Sequence, residues 1–427
     1  MTPIPRRVAA LATVSVVAIT MLAPSATATA LPPARSVATS TGVAASADRD
    51  ASTAALRAAM QAVVDAGATG VNALVDQGDD VTRLAVGRAR LSPERPLRTG
   101  DQARVGSITK TLMSVIALQL KREGKLAFDD TIESWLPGLV PGGSAITLRM
   151  LLNHTSGIFN YTDDPDFFAA ALADPYRRWS PRELIDFGVA NPPVFPPGTS
   201  WSYSNTGYIL LGLVLQKASG QSISELVQRR VTRPLHLRNT YFANSAPFRG
   251  SYAHGYAPPG IFGSGYTDTS RWTPTWAWAA GALVSNTADL ATFYQALLSG
   301  RLLPRALLRE MTTTVSPFPG AGYGLGILTI DTPCGTIWGH TGGIPGYVTI
   351  AYHNRAGTRS TVLLLSTEPN DAIAQKFDAL VMQAVCDMFG KPVPAAATMA
   401  SPESATAPST STSTSTWPLS TDLRLHQ

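Results

Sequence analysis

Ser107 and Lys110 are the residues of this chain whose types and spacing point most directly to covalent chemistry. Three residues apart on a helix, a hydroxyl and an ammonium group lie on one face, about one turn from each other. Apolar residues from Leu112 to Leu120 predict that helix, and Gly124 can end it. Ser107 would then lie at the helix N-terminus, where the dipole and the unpaired N–H groups favour negative charge. The motif predicts a serine nucleophile; a surface lysine near a helix start is the alternative interpretation.

A second motif, Tyr203-Ser204-Asn205, follows a loop rich in proline and glycine and opens another predicted helix. A tyrosine at that position can exchange a proton with the serine or with a leaving group. Tyr352-His353-Asn354 has the same pattern but lies in a predicted strand. For either motif, a packed tyrosine beside a turn asparagine is the alternative interpretation.

The third motif is His340-Thr341-Gly342-Gly343, which we expect to follow a short strand and to open a turn. Glycines there would let a ligand lie close to backbone N–H groups, as an oxyanion site requires. A plain glycine turn with a hydrogen-bonded histidine is the alternative. If the neutral form of His340 is needed, activity should fall as pH drops through the imidazole range.

The elements that must position these motifs predict an α+β fold. A helix over 52–67 and a hairpin begin the chain, four strands and a helix end it, and the residues between are mostly helical. We therefore expect one antiparallel sheet flanked by helices, built from residues 51–125 and 275–394. Residues 126–274 would form a mostly helical lobe, with the active site in the cleft between the lobes. The predicted elements are the hairpin Gly70–Asp76 and Val81–Val86, the strands Leu325–Thr329, Thr336–Gly339, Tyr347–His353 and Ser360–Leu365, and the helices Thr147–His154, Pro181–Val189, Asn205–Ser219, Ile223–Arg230, one within Trp276–Leu298, and Ala372–Phe389.

The two ends of the chain differ in composition from the rest. Arg6 and Arg7 precede an apolar run from Val8 to Leu22, which predicts a signal peptide over residues 1–30. The run is short for a membrane span, so we expect a secreted protein without a stable membrane anchor. Residues 31–50 are predicted to be a flexible lead-in, and residues 395–427 a low-complexity tail of Ser, Thr, Ala and Pro.

Charge and cysteine content narrow the function classes. The net charge of the 427 residues is +5, scattered along the chain, and no nucleic-acid-binding fingerprint is present. In an exported protein, Cys334 and Cys386 predict a disulfide rather than a metal site, although two buried thiols are the alternative. The bridge would close a loop of 52 residues, which chain entropy values at about 4 kcal/mol.

The three motifs together resemble the serine penicillin-recognising enzymes: class C β-lactamases, D-Ala-D-Ala carboxypeptidases and related esterases. They occur in the family order, separated by 96 and 137 residues. With His-Thr-Gly where most relatives have Lys-Thr-Gly, the chain is most similar to the secreted D-alanyl-D-alanine carboxypeptidases of actinomycetes. The resemblance spans roughly residues 50–392 and includes Val105-Gly106-Ser107, Leu152-Asn153-His154-Thr155-Ser156-Gly157, Tyr203-Ser204-Asn205-Thr206-Gly207-Tyr208, Tyr323-Gly324-Leu325-Gly326 and the spacing of the cysteines.

The resemblance implies a role for each motif. Ser107 becomes acylated, Lys110 helps to take its proton, and Tyr203 passes a proton to the leaving group. Asn205 holds the substrate amide and Lys110, and His340 supports Tyr203. The backbone N–H groups of Ser107 and Gly343 form the oxyanion hole, while Thr341 and Trp276 contact the substrate.

The resemblance also implies the partners. We expect a monomer acting on a small peptide or ester, such as a peptidoglycan stem peptide, with β-lactams as covalent inhibitors. It implies no metal and no cofactor.

Two departures from the family pattern affect the substrate. Leu328 and Gly343 stand where the carboxypeptidase has an arginine and a threonine that bind the substrate carboxylate. The sequence therefore predicts a secreted serine acyl hydrolase acting through a Ser107 acyl-enzyme, with D-Ala-D-Ala carboxypeptidase as the leading activity. The alternatives are an esterase, a D-amino-acid amidase or peptidase, a β-lactamase and a non-catalytic penicillin-binding protein. The β-lactamase is disfavoured because the resemblance brings no dedicated deacylation glutamate.

Overall fold

The computed structural model describes residues 41–395; the predicted signal peptide, residues 31–40 and residues 396–427 lie outside the described residues. Short 3₁₀ turns occur at Gly143–Ala145 and Tyr161–Asp163, and a π-helical turn at Gln228–Thr232. The strands are β1 (Gly70–Asp76), β2 (Val81–Arg90), β3 (Arg95–Pro96), β4 (Ala103–Arg104), β5 (Tyr241–Phe242), β6 (Tyr256–Ala257), β7 (Thr267–Asp268), β8 (Leu283–Ser285), β9 (Val315–Phe318), β10 (Ala321–Tyr323), β11 (Leu328–Thr332), β12 (Gly335–Ile344), β13 (Tyr347–His353) and β14 (Ser360–Leu365). The helices are α1 (Thr41–Asp65), α2 (Ile108–Arg122), α3 (Ile132–Trp135), α4 (Leu148–Leu152), α5 (Pro165–Ala173), α6 (Pro181–Ala190), α7 (Asn205–Ser219), α8 (Ile223–Val227), α9 (Trp278–Gly281), α10 (Thr287–Leu298), α11 (Arg305–Met311) and α12 (Asp371–Phe389).

Both ends of the described chain meet in one antiparallel sheet, which confirms the predicted α+β fold. Within residues 41–395, nine strands lie in the order β3-β2-β1-β14-β13-β12-β11-β10-β9. The predicted hairpin is present, with Val71 of β1 opposite Val86 of β2. On its other side Val71 lies opposite Leu365 of β14, so the first long strand pairs with the last.

The two terminal helices cover one face of this sheet. Leu56 and Met60 of α1 and Phe377 of α12 are buried there in a core with residues of β1, β13 and β14. The predicted start of the first helix at Ser52 is wrong: α1 begins at Thr41, inside the segment expected to be a flexible lead-in. That segment is rich in alanine, the strongest helix former, so its low complexity does not prevent a helix. Among residues 41–395, no helix has both the length and the hydropathy needed to span a bilayer.

The helix that follows Ser107 contacts both predicted lobes. Every residue of α2 from Ile108 to Gln119 is buried, and α2 packs against α7 and α9. The predicted boundary at residue 125 stays a prediction, since α2 contacts α7 of the predicted helical lobe and also α9 and β12 of the predicted sheet lobe.

One predicted strand near the C-terminal end also needs correction. The expected strand Leu325–Thr329 begins instead at Leu328, because Gly326 adopts φ +69° and turns the chain first. The helix predicted within Trp276–Leu298 is present as α10, which Asn286 caps, and the short strand β8 lies before it, between α9 and α10. β8 pairs with β4 and β5 in a small sheet of its own.

The predicted disulfide is present. Cys334, in the turn between β11 and β12, is bonded to Cys386 of α12. The bridge therefore ties the C-terminal helix to the sheet beside the strand that carries His340.

A buried carboxyl group anchors the turn between β12 and β13. Gly346 has φ +82°, and a Cβ atom there would collide with the hydroxyl of Thr269, so this turn requires glycine. The Gly346 N–H donates to Oε2 of Glu368 at 2.9 Å. Burial raises the pKa of Glu368 from 4.5 to about 7, and the Gly346 N–H opposes that shift only in part. Glu368 is therefore protonated in the folded protein at mildly acidic pH.

Replacing Glu368 with Gln should stabilise the protein at alkaline pH. Because the folded pKa is raised, the contribution of Glu368 to stability is complete below pH 4.5 and is lost as the pH rises through about 7. That loss amounts to about 3 kcal/mol, and neutral Gln, which still accepts from Gly346, removes it. Urea unfolding of the wild type, Glu368→Gln and the exposed control Glu94→Gln at about pH 5 and about pH 8.5 measures the effect. A Glu368→Gln variant whose stability falls with pH as steeply as that of the wild type would contradict this account.

Candidate active site

Ser107 occupies the N-cap position of α2, as the sequence predicts, but its hydroxyl makes no capping hydrogen bond. The side chain is half-buried, so Oγ remains accessible to a substrate. Thr109 holds the turn before it: its Oγ1 donates to the Gly106 carbonyl at 2.6 Å and accepts from the Leu283 N–H at 3.1 Å. The nucleophile is thus fixed by its backbone rather than by its hydroxyl.

Lys110 is fully buried and lies at the point where three helices meet. Its Nζ donates to Ser107 Oγ at 3.0 Å, to Asn205 Oδ1 at 2.7 Å and to the Ala280 carbonyl at 2.9 Å. The ammonium group also lies 4.7 Å from the centre of the Tyr203 ring, within cation–π range. The structure therefore brings four of the five predicted catalytic residues together, since Ser107, Asn205 and Tyr203 all contact the Nζ atom of Lys110.

Asn205 is oriented by the helical lobe. Its backbone N–H donates to Asn160 Oδ1 at 2.9 Å, and its Nδ2 donates to Thr162 Oγ1 at 3.1 Å. Because both donor groups face that side, the amide oxygen is left to face Lys110. The predicted role of Asn205 in holding Lys110 matches this geometry.

The segment His340-Thr341-Gly342-Gly343 lies inside β12, so the predicted turn is wrong. Its glycines are needed for close packing instead. A Cβ atom on Gly342 would lie 3.1 Å from the backbone nitrogen of Ser107, and one on Gly106 would lie 2.7 Å from the nitrogen of Gly343. The backbone around Ser107 and the backbone around Gly343 are thus in close contact, which is compatible with an oxyanion hole formed by their two N–H groups.

His340 is buried, and its hydrogen bonds define its tautomer. Nδ1 lies 2.6 Å from the Thr341 carbonyl oxygen, which can only accept, so Nδ1 carries the proton. Nε2 therefore accepts from the hydroxyl of Tyr323 at 2.9 Å. Burial and, to a smaller extent, the charge of Lys110 lower the pKa of His340 to about 3, against the opposing effect of the hydrogen bond to the Thr341 carbonyl.

Two residues without a predicted role link His340 to Tyr203. The ring of His154 lies 4.3 Å from that of Tyr203 and 4.7 Å from that of Tyr323, between ring centroids. His154 adopts φ +63°, and its Nδ1 accepts from the backbone N–H of Ser204 at 3.2 Å. Burial, followed by the charge of Lys110, holds its pKa well below 6.5. The expected support of Tyr203 by His340 thus passes through Tyr323 and His154.

Thr341 and Trp276, the two side chains expected to contact the substrate, are both partly accessible. Thr341 is half-buried on β12. Trp276 is half-buried, its ring lies 6.2 Å from that of Phe167, and its carbonyl accepts from the hydroxyl of Tyr161. These contacts fix the loop of Trp276 to the helical lobe, just before α9.

Leu328 does not face the site. It packs against the core beneath α1 and α12, whereas Ile327 packs in the core around α2. Leu328 lies opposite Gly339, so Ile327 continues the register opposite His340. On the face of the strand that carries His340, the residue at the place of the carboxylate-binding arginine is therefore Ile327, which is apolar, rather than Leu328.

The sequence profile of the Beta-lactamase family matches residues 54–385, so the chain belongs to that family. The structure of a D-stereospecific amidohydrolase from Streptomyces sp. superposes with a TM-score of 0.70 at 38% identity, covering 76% of this chain and 97% of that one. Penicillin-binding protein 4* of Bacillus subtilis (strain 168) is 29% identical over 336 residues, which are 74% of this chain and 71% of the relative. Esterase EstB of Burkholderia gladioli is 29% identical over 336 residues, 68% and 83% of the two chains. Within this family the chain is a serine hydrolase.

The pH dependence predicted from the sequence needs correction, because neither imidazole of the site titrates in the usual range. With the pKa of His340 at about 3, its ring stays neutral between about pH 5 and about pH 8, and burial and the charge of Lys110 favour the neutral form of His154 as well. The rate constant for acylation by a fluorescent penicillin should therefore not fall over this range through titration of His340. Comparison with His340→Gln tests this: a loss of rate below about pH 6 in the wild type that disappears in the variant would contradict it.

Removing the hydroxyl of Tyr323 should impair catalysis more than stability alone explains. Tyr323→Phe leaves the buried Nε2 of His340 without its donor, at a cost of about 1–3 kcal/mol. His340 then no longer holds Tyr323 in place against His154 and Tyr203. We therefore expect kcat to fall about tenfold with a smaller change in KM. Tyr294→Phe is the matched control, because it also removes a buried hydroxyl, bonded to Thr111 at 2.9 Å. Equal losses of kcat in the two variants, after correction for folded fraction, would refute the special role of Tyr323.

Proposed function

We propose that Ser107 forms an acyl-enzyme and that the preferred substrates are amides and peptides of D-configured amino acids. The observation that supports the acyl-enzyme is the contact of buried Lys110 with Ser107 Oγ and Asn205 Oδ1, at 3.0 and 2.7 Å. A lysine held in this way beside a serine hydroxyl that makes no helix-capping hydrogen bond is suited to nucleophilic catalysis. A binding protein would have no need of this arrangement.

The proposed reaction has two halves. Ser107 Oγ attacks the carbonyl carbon and gives its proton to the phenolate oxygen of Tyr203, because the pair reacts as the Lys110 ammonium with the Tyr203 phenolate. The carbonyl oxygen becomes an oxyanion at the N–H groups of Ser107 and Gly343. The carbon–nitrogen bond then breaks, and the amine leaves with the proton held by the pair. Water attacks the resulting ester through the reverse sequence, which releases the acid and restores Ser107.

Recognition of a terminal carboxylate has little support at this site. An arginine–carboxylate pair in a shielded site contributes about 1.5–3 kcal/mol, or one to two decades of affinity. Ile327 and Gly343 supply neither the cation nor a hydroxyl. A substrate amide without a terminal carboxylate loses no binding affinity through the absence of these groups. The Streptomyces relative is named for D-stereospecific amide hydrolysis.

D-Ala-D-Ala carboxypeptidase activity is the second candidate. Half-buried Thr341 keeps one hydroxyl group at the position that binds the carboxylate in the enzymes that the motifs resemble. The similarity to penicillin-binding protein 4* also favours it. For either activity, the predicted signal peptide and the Cys334–Cys386 bridge support export.

A substrate panel separates these activities. We expect kcat/KM for D-phenylalanine amide to exceed that for a diacyl peptide ending in D-Ala-D-Ala by at least about tenfold, with L-phenylalanine amide as the stereochemical control. Mass spectrometry after benzylpenicillin treatment should show one covalent adduct, absent from Ser107→Ala and retained in the control Ser219→Ala. Faster release of D-Ala than of ammonia would replace the amidase by the carboxypeptidase. Adduct formation by Ser107→Ala would refute the acyl-enzyme itself.

A further inference from the structure

A second cleft, with a volume of about 450 Å³, lies between β5 and the residues that follow α8. Three arginines and a histidine line it: Arg233, Arg238, Arg249 and His236. Its lining includes no aspartate or glutamate and none of the residues of the candidate active site. A cleft with charge of one sign concentrates the electrostatic potential and attracts the opposite charge.

The guanidinium groups of this basic cleft differ from their neighbours in pairing. Arg229 and Arg230 of the π-helical turn form ion pairs with Glu225 and Glu123, at 3.8 and 2.6 Å. Among the described residues, no carboxylate lies within ion-pair distance of the three guanidinium groups that line the cleft. Mutual repulsion is therefore uncompensated there, and a bound anion would relieve it.

A carboxylate behind the cleft wall, Asp289, is already hydrogen-bonded to the wall. Asp289 Oδ2 accepts from the Asn239 N–H at 2.8 Å and from Thr240 Oγ1 at 2.9 Å. Its charge is thus directed into the wall behind Thr240. It holds the wall in place rather than neutralising the arginines.

The cleft is shaped by backbone contacts rather than by the arginines themselves. The Arg233 N–H donates to the Gln228 carbonyl at 2.9 Å, and the Leu237 N–H donates to the Thr232 carbonyl at 2.9 Å. His236 adopts φ +55°, a left-handed conformation that is unfavourable for a residue other than glycine. The turn therefore has a fixed form in which Arg233 and Arg238 flank the cavity.

Arg249 joins the cleft lining beside Tyr241 of β5. Its guanidinium carbon lies 4.3 Å from the centre of the Tyr241 ring, and its backbone N–H donates to the Tyr241 hydroxyl at 3.0 Å. Stacking on an aromatic face leaves the N–H edges of a guanidinium group available to an oxyanion.

We propose that this basic cleft binds a phosphate-bearing sugar or polyol. Three guanidinium groups provide more donors than one planar carboxylate accepts, whereas a tetrahedral phosphate presents three oxygens to them. Ser224 and Gln228 in the lining offer hydroxyl and amide groups to a sugar or polyol. The volume lies within the range of small-molecule sites. The proposal is independent of the acyl-enzyme, because the two sites share no residue.

Calorimetric titration of the whole chain at constant ionic strength tests the proposal, with glucose 1-phosphate and poly(glycerol phosphate) as probes. Saturable binding of glucose 1-phosphate identifies a free sugar phosphate as the ligand. Binding of the polymer alone identifies a polyol-phosphate chain. Binding of neither probe overturns the proposal.

Charge-matched variants separate a site from general attraction. The Arg233→Gln, Arg249→Gln pair should weaken binding at least about tenfold, while hydrolysis of a small ester stays unchanged. The control pair is Arg301→Gln and Arg305→Gln, both exposed arginines outside the cleft. An equal loss in the control would show that binding follows net charge, and would also overturn the proposal.

Discussion

The buried ammonium group of Lys110 is the constraint on which the site depends. Removing such a group from water costs several kcal/mol, which only well-placed acceptors offset. Those acceptors come from the N-cap of α2, the start of α7 and the carbonyl of Ala280 in α9. Because each belongs to a different helix, satisfying one ammonium group fixes all three helices, and with them the nucleophile.

The neutral state of the histidines follows from the same charge. His340 and His154 both lie close enough to Lys110 for its charge to lower their pKa, and burial acts in the same direction. Among the described residues of the site, the Lys110 cation therefore lies beside two neutral imidazole rings. That arrangement keeps protons mobile along the pair of Lys110 and Tyr203 instead of trapping one on an imidazole.

The sequence predicts the parts of this site that depend on local geometry and misses those that depend on register. Ser107 and Lys110 are three residues apart on one helix, so their contact can be read from spacing alone. The face of the sheet on which the side chain of Leu328 lies cannot be read from spacing, since a shift of one residue along a strand moves a side chain to the opposite face. Tyr323 and His154 lie within recognisable motifs, but their contacts join distant segments that no local pattern brings together. The turn expected at Gly342 fails for a related reason, because glycine serves close backbone approach as often as it serves turns.

The pairing of β1 with β14 has a consequence for how the chain reaches this structure. Hydrogen bonds between Thr69 and Thr367 join residues 298 positions apart. During synthesis, β1 and β2 can at first form only a hairpin with each other, since β14, the other partner of β1, is made much later. A two-stranded hairpin is marginal in water, so the sheet cannot become stable until nearly the whole chain is available. Any shortened chain that ends before β14 would lack both the partner strand of β1 and the helix α12. An unpaired strand edge and part of the apolar face of the sheet would then be exposed, so such a chain should aggregate rather than form a smaller enzyme.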